Sequence, residues 1–210
     1  MKIDIITLGC SKNLVDSERL MHQLEEVGYE VTHDAEELHG EIAVVNTCGF
    51  IADAQEESIN IILELAQRKE EGSLQKLYVM GCLSERFMDE LGKEIPEVDK
   101  YYGKFDWAQL VEDLAELNTP HREGLGETSL IDRVQTTPSH YAYVKISEGC
   151  DKHCTYCIIP KIRGNFRSVP MERLIKEAEG LVNQGVKELI MVAQETTLYG
   201  KDLYGEKSLP

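Results

Sequence analysis

No run of apolar residues in this chain approaches the ~20 that a helix needs to cross a bilayer, so the sequence offers no transmembrane span. A secretion signal is missing too. The stretch from Met1 to Cys10 ends rather like a lipoprotein cleavage site, but Asp4 interrupts its apolar run, which is shorter than a signal-peptide core. We therefore expect a cytoplasmic protein whose six cysteines are reduced, because a chain of 210 residues can bury its own core without disulfides. Basic charge is scarce overall. A formal net charge of -16 argues against wide contact with phosphate backbones, so nucleic acid is not an expected direct partner. Internal repeats and low-complexity tracts are absent, and 42% hydrophobic with 29% charged residues is ordinary globular composition.

What is present is concentrated in Glu148-Gly-Cys-Asp-Lys-His-Cys-Thr-Tyr-Cys157, where Cys150, Cys154 and Cys157 stand at a CxxxCxxC spacing. Three thiolates so close in sequence fit an iron–sulfur cluster. A cubane of four irons takes four ligands, so a trio leaves one iron open to an outside ligand. Structural zinc is the alternative, but zinc ligands usually come as two separated pairs, and Cys154 and Cys157 have no second pair elsewhere. Around the trio the charge balance reverses: Lys145, Lys152, Lys161, Arg163 and Arg167 face only Glu148 and Asp151. Such a rim suits an anionic cluster and a carboxylate-bearing cofactor, with solvated surface charge as the alternative.

The remaining cysteines gain meaning from the chain order. Lys2 to Leu8, Glu41 to Cys48 and Lys76 to Cys82 read as buried strands, with weaker ones at Tyr29 to Thr32 and Val98 to Tyr102. Helices are expected between them: one capped by Asn13 or Asp16, one over Asp53 to Lys69 with Ile59, Ile62, Leu63 and Ala66 inward, one capped by Ser84, and one over Trp107 to Leu117. Alternating strands and helices predict an α/β fold with an open parallel sheet. Cys10, Cys48 and Cys82 then each fall at the carboxyl end of a strand, the edge where such sheets bind ligands. Three buried cysteines packing as small apolar groups is the competing reading. The repeated position favours a second cluster, with the glycines beside each cysteine admitting close approach of backbone.

Domain organisation follows. We expect an amino-terminal domain over 1–117, a linker over 118–139 containing Pro120, Gly124, Gly126 and Pro138, and a second domain over 140–210. In the latter, Tyr141 to Ser147 and Lys187 to Ala193 read as strands around a helix starting near Pro170, with Leu174, Ile175, Ala178 and Leu181 inward. Two strands are too few for a parallel barrel, so this chain is expected to be part of a longer protein, with the first βα units of an incomplete barrel.

With both trios placed, the chain resembles the methylthiotransferase family of radical S-adenosylmethionine (SAM) enzymes along essentially its whole length. The likeness rests on Leu8-Gly-Cys-Ser-Lys-Asn-Leu-Val-Asp-Ser-Glu18, Asn46-Thr-Cys-Gly-Phe50, Met80-Gly-Cys82 and the CxxxCxxC loop. Within the family, the first of these and Ala193-Gln-Glu-Thr-Thr-Leu-Tyr-Gly200 are similar to the branch acting on ribosomal protein S-twelve. The resemblance implies two 4Fe-4S clusters, an auxiliary one on Cys10, Cys48 and Cys82 and the SAM-binding one on Cys150, Cys154 and Cys157. It implies a 5'-deoxyadenosyl radical that takes hydrogen from the β-carbon of an aspartate in that ribosomal protein, followed by transfer of a methylthio group. A reductase and a sulfur donor are implied partners. Tyr156 is expected near the SAM adenine, Gln194 or Glu195 at its ammonium, and Arg163 or Arg167 at its carboxylate, whereas His153 is expected to be a solvated loop residue. Alternatives are a tRNA methylthiotransferase, which the acidic charge disfavours, and an iron–sulfur scaffold or electron-transfer module, which would need more cysteines. This chain alone is expected to be inactive.

Overall fold

The structure, a computed structural model, describes residues 1–104, 106–118 and 132–209. It divides into two compact units, Met1–Arg133 and Val134–Pro210. Most of the expected linker, including Pro120, Gly124 and Gly126, lies outside the described residues.

The first unit is an open, wholly parallel sheet of five strands. In chain order the elements are β1 (Lys2–Thr7), α1 (Ser11–Glu26), β2 (Glu30–His33), β3 (Ile42–Thr47), α2 (Ala52–Glu70), β4 (Lys76–Gly81), α3 (Cys82–Glu94), β5 (Lys100–Tyr101) and α4 (Trp107–Asn118). The spatial order is β2-β1-β3-β4-β5. Every residue of β3 is buried, as expected of a central parallel strand covered on both faces. Alternate residues divide between the faces. Ile6, Ala43, Val45, Leu77 and Val79 form one core with Ile62, Leu65 and Ala66 of α2 and Leu83 and Leu91 of α3. Leu110, Val111 and Leu114 of α4 are buried as expected, and Tyr29 Oη donates to Leu114 O at 2.8 Å.

Several expected details differ. Leu63 is 47% exposed and Leu65 takes the inward place, because the buried stripe of α2 runs through Ser58, Ile62, Leu65 and Ala66. The helix caps also move. α1 begins after Cys10 and α3 after Gly81, so Asn13 and Ser84 sit inside the first turns rather than capping them. Asp16 is engaged instead with Lys104 Nζ at 2.5 Å. Only Lys100 and Tyr101 of the expected fifth strand pair with β4.

The second unit holds β6 (Tyr141–Lys145), β7 (Ser147–Glu148), α5 (Ile159–Arg163), β8 (Arg167–Ser168), α6 (Met171–Asn183), β9 (Glu188–Val192) and α7 (Lys201–Tyr204). β6 and β9 are parallel neighbours, while β7 and β8 make a short antiparallel ladder that carries the start of the CxxxCxxC loop. A small core gathers Ala142, Val144, Ile146, Leu181, Val186 and Tyr199, with Leu174 packed against it. Ile175, expected inward, is 51% exposed, since α6 meets this core along the stripe of Leu174 and Leu181. Among the described residues no helix is long and apolar enough to cross a membrane.

Candidate functional site

Chain order alone puts Cys10, Cys48 and Cys82 directly after β1, β3 and β4, three adjacent parallel strands. Register keeps the three ends level: Thr7 pairs with Asn46, and Asn46 with Met80. The loops interlock. A Cβ added to Gly9 would fall 2.7 Å from Cys48 Cβ and 2.9 Å from Cys48 Sγ, and one added to Gly49 would fall 2.5 Å from Cys82 O. Glycine is therefore required at both positions for the loops to touch, and Gly9 also sits at φ +93°. Cys48 and Cys82 are buried and Cys10 is half-buried. Among the described residues no three Cys, His, Asp or Glu side chains are gathered closely enough to share a single ion. A cubane makes no such demand, since its thiolates bind separate irons.

Polar side chains tie this edge together. Thr47 Oγ1 donates to Met80 O at 2.6 Å, and Asn46 Nδ2 donates to Asn13 O at 3.0 Å and Ser17 Oγ at 2.9 Å. Ser58 Oγ accepts from Cys48 N at 3.1 Å. Asn13 and Asn46 are almost wholly buried. The sequence signals a helix cap at Asn13, whereas the side chain reaches back across the strand ends.

The second trio lies on a loop held from several sides. Gly149, at φ +76°, donates its N–H to Gln194 Oε1 at 3.1 Å, and Cys150 N donates to Gly164 O at 3.2 Å. Asp151 Oδ1 accepts from Phe166 N at 2.9 Å, and Cys157 N donates to Cys154 O at 2.9 Å. Cys150 is buried, Cys157 half-buried and Cys154 exposed, so the loop is anchored at its start and open at its tip.

The side chains expected around SAM divide into two groups. Arg163 is fully buried and pairs with Glu148 Oε1 at 2.9 Å, while Lys145 Nζ meets Glu148 Oε2 at 3.0 Å. The guanidinium expected at the SAM carboxylate thus braces the base of the loop. Sequence reasoning left Glu148 without a role, because nothing in the local pattern discloses a partner fifteen residues away. Glu195 is engaged as well: its carboxylate meets Lys152 of the cysteine loop and accepts from Thr197 N at 2.8 Å. The expected positive rim is accordingly smaller, since Lys145, Lys152 and Arg163 are turned toward carboxylates while Lys161 and Arg167 are exposed. Tyr156 is 90% exposed, and His153 is exposed at φ +45°. Gln194 keeps an unspent group: Nε2 is buried without a hydrogen-bond partner among the described residues.

The Lys152 ammonium, together with Thr197, holds the Glu195 carboxyl down at about 2 against an ordinary 4.5. A depressed acid stabilises the fold fully above its unfolded pKa and loses that contribution as pH falls through the folded one. Stability contributed by Glu195 is thus expected to disappear between about pH 4.5 and 2. Thermal unfolding of Glu195→Gln should show a shallower fall in Tm across that window than the parent, and an identical acid limb would refute the pairing.

Residues 2–103 match the family described as "Uncharacterized protein family UPF0004", and residues 144–208 match the Radical SAM superfamily. The chain is 63% identical over 209 residues to "Ribosomal protein uS12 methylthiotransferase RimO" of Bacteroides thetaiotaomicron, covering 100% of this chain and 46% of that protein. It is 58% identical over 209 residues to the protein of the same name from Parabacteroides distasonis, covering 100% and 47%. The chain spans about half the length of the curated relatives it matches. Among solved structures, the radical S-adenosylmethionine methyltransferase TsrM from Kitasatospora setae aligns with a TM-score of 0.62 at 14% identity, over 94% of this chain and 48% of that one. That likeness is one of fold.

Proposed function

We propose, from the premise that this chain belongs to the radical SAM methylthiotransferase family, that it forms part of an enzyme adding a methylthio group to the β-carbon of an aspartate in ribosomal protein uS12. The observation that carries this reading is the 63% identity, over 209 residues, to a relative named for that activity. SAM and two 4Fe-4S clusters are the assigned cofactors. Cys150, Cys154 and Cys157 would hold the cluster that binds SAM, and Cys10, Cys48 and Cys82 the auxiliary one. The residues fit both groups: each site offers three thiols beside backbone that glycine lets approach closely. When bound, the first cluster and SAM supply radical abstraction of hydrogen from an unactivated carbon.

The chain's own residues bind and orient. Glu148, Arg163 and Gln194 fix the root of the loop, leaving Cys154 and Tyr156 at its accessible tip. Gln194 Oε1 is occupied by Gly149 N, so the group it has left is the Nε2 donor, which suits a carboxylate or hydroxyl of SAM rather than its ammonium. Tyr156 offers an exposed ring to the adenine. The partners this function requires are the ribosomal protein, a reductase and a sulfur donor, all within the cytoplasm.

The test is anaerobic reconstitution of the full-length protein, assaying 5'-deoxyadenosine and the mass of uS12 and tRNA offered in parallel. A methylthio increment on uS12 is the expected result. Sulfur incorporated into tRNA alone overturns the reading.

A further inference from the structure

We propose that Asn13 is the positioning residue of the auxiliary site, one side chain that ties the strand ends carrying Cys10 and Cys48 together beside Cys82; the inference rests on the auxiliary-cluster reading above. Asn13 touches all three cysteine-bearing loops. Its backbone N–H donates to Cys10 O at 2.9 Å. Its Nδ2 donates to Leu8 O at 2.9 Å, at the end of β1, and to Thr47 O at 3.1 Å, the residue before Cys48. Its Oδ1 lies 3.9 Å from Cys82 Sγ, which donates to it.

Both Nδ2 hydrogens go to backbone carbonyls, which can only accept, so the amide orientation is fixed by chemistry. Those two bonds are also independent of thiol protonation. Binding iron removes the thiol protons, and the bridge between the ends of β1 and β3 survives that change. The side chain is almost wholly buried, and Asn46 Nδ2 holds its backbone carbonyl from the neighbouring strand end at 3.0 Å. A cap would need only the first turn of α1. Here the amide spans a separation of 34 residues to reach Thr47, which a cap does not do.

Outer-shell groups that orient ligands typically change metal affinity about 10- to 100-fold when removed. The experiment uses the full chain carrying Cys150→Ala, Cys154→Ala and Cys157→Ala, so that iron reports the amino-terminal site alone. Asn13→Ala and the isosteric Asn13→Asp are reconstituted anaerobically beside Val15→Ala, a truncation of a fully buried core side chain on the same helix. Cluster retention against a competing chelator is read from sulfide-to-iron absorbance, and Tm is read on the same samples. Both Asn13 variants are expected to lose retention about tenfold or more, out of proportion to any change in Tm, while Val15→Ala keeps its cluster at lower Tm. Retention that follows Tm equally in all three variants overturns the proposal, as does an unchanged Asn13→Asp. A parent that takes up no iron removes the auxiliary cluster itself.

Discussion

Glu148→Gln is expected to destabilise the second unit by about 2 kcal/mol or more, because it removes the carboxylate shared by the buried Lys145 and Arg163. Arg163→Met deletes one cation but leaves Glu148 facing Lys145 at 3.0 Å, so its cost should be clearly smaller. Urea denaturation gives the ranking directly. Since Glu148 lies two residues before Cys150, the same variant should lose iron at the CxxxCxxC site and keep it at the amino-terminal one. Equal costs for the two substitutions would mean that Glu148 does not balance two charges.

Gly149→Ala should have a comparable effect through sterics alone. A Cβ there would stand 2.2 Å from Asn165 O and 2.5 Å from Gly164 O, at φ +76°. Left-handed backbone costs an ordinary L-residue about 1–2 kcal/mol, and overlap with two carbonyls forces the loop outward as well. Moving the loop breaks Gly149 N–H to Gln194 and Cys150 N–H to Gly164 together. Gly185→Ala is the matched control, since it has φ +104° but open space around the added carbon. We expect Gly185→Ala to lose a little stability and no iron, and Gly149→Ala to lose the iron of the second trio. Iron retained in Gly149→Ala would show that this packing does not position the ligands.

The cysteine placement was legible because buried parallel strands are apolar runs with abrupt ends, and each ended on a cysteine with a glycine beside it. β3 is the clearest case, buried throughout and followed at once by Cys48 and Gly49. The CxxxCxxC loop was legible from spacing. What stayed hidden were long-range partners. Asn13 near a helix start looks like a cap, and only the fold brings Thr47 and Cys82 to it. Arg163 looked like a ligand for a carboxylate, and it does meet one, but that carboxylate belongs to Glu148. Leu63 and Leu65 show a related limit: Leu63 stands four residues after Ile59 and Leu65 three after Ile62, so each extends the apolar stripe on a different side, and the sheet beneath selects the side of Leu65.

We propose that this chain carries two separate cluster sites, each defined by three cysteines. Iron counted after anaerobic reconstitution of three forms of the chain tests it most directly: the parent, the Cys10/Cys48/Cys82 triple alanine variant and the Cys150/Cys154/Cys157 triple alanine variant. About eight irons are expected in the parent and about four in each variant. About four in the parent, or loss of all iron when either trio alone is removed, would contradict it.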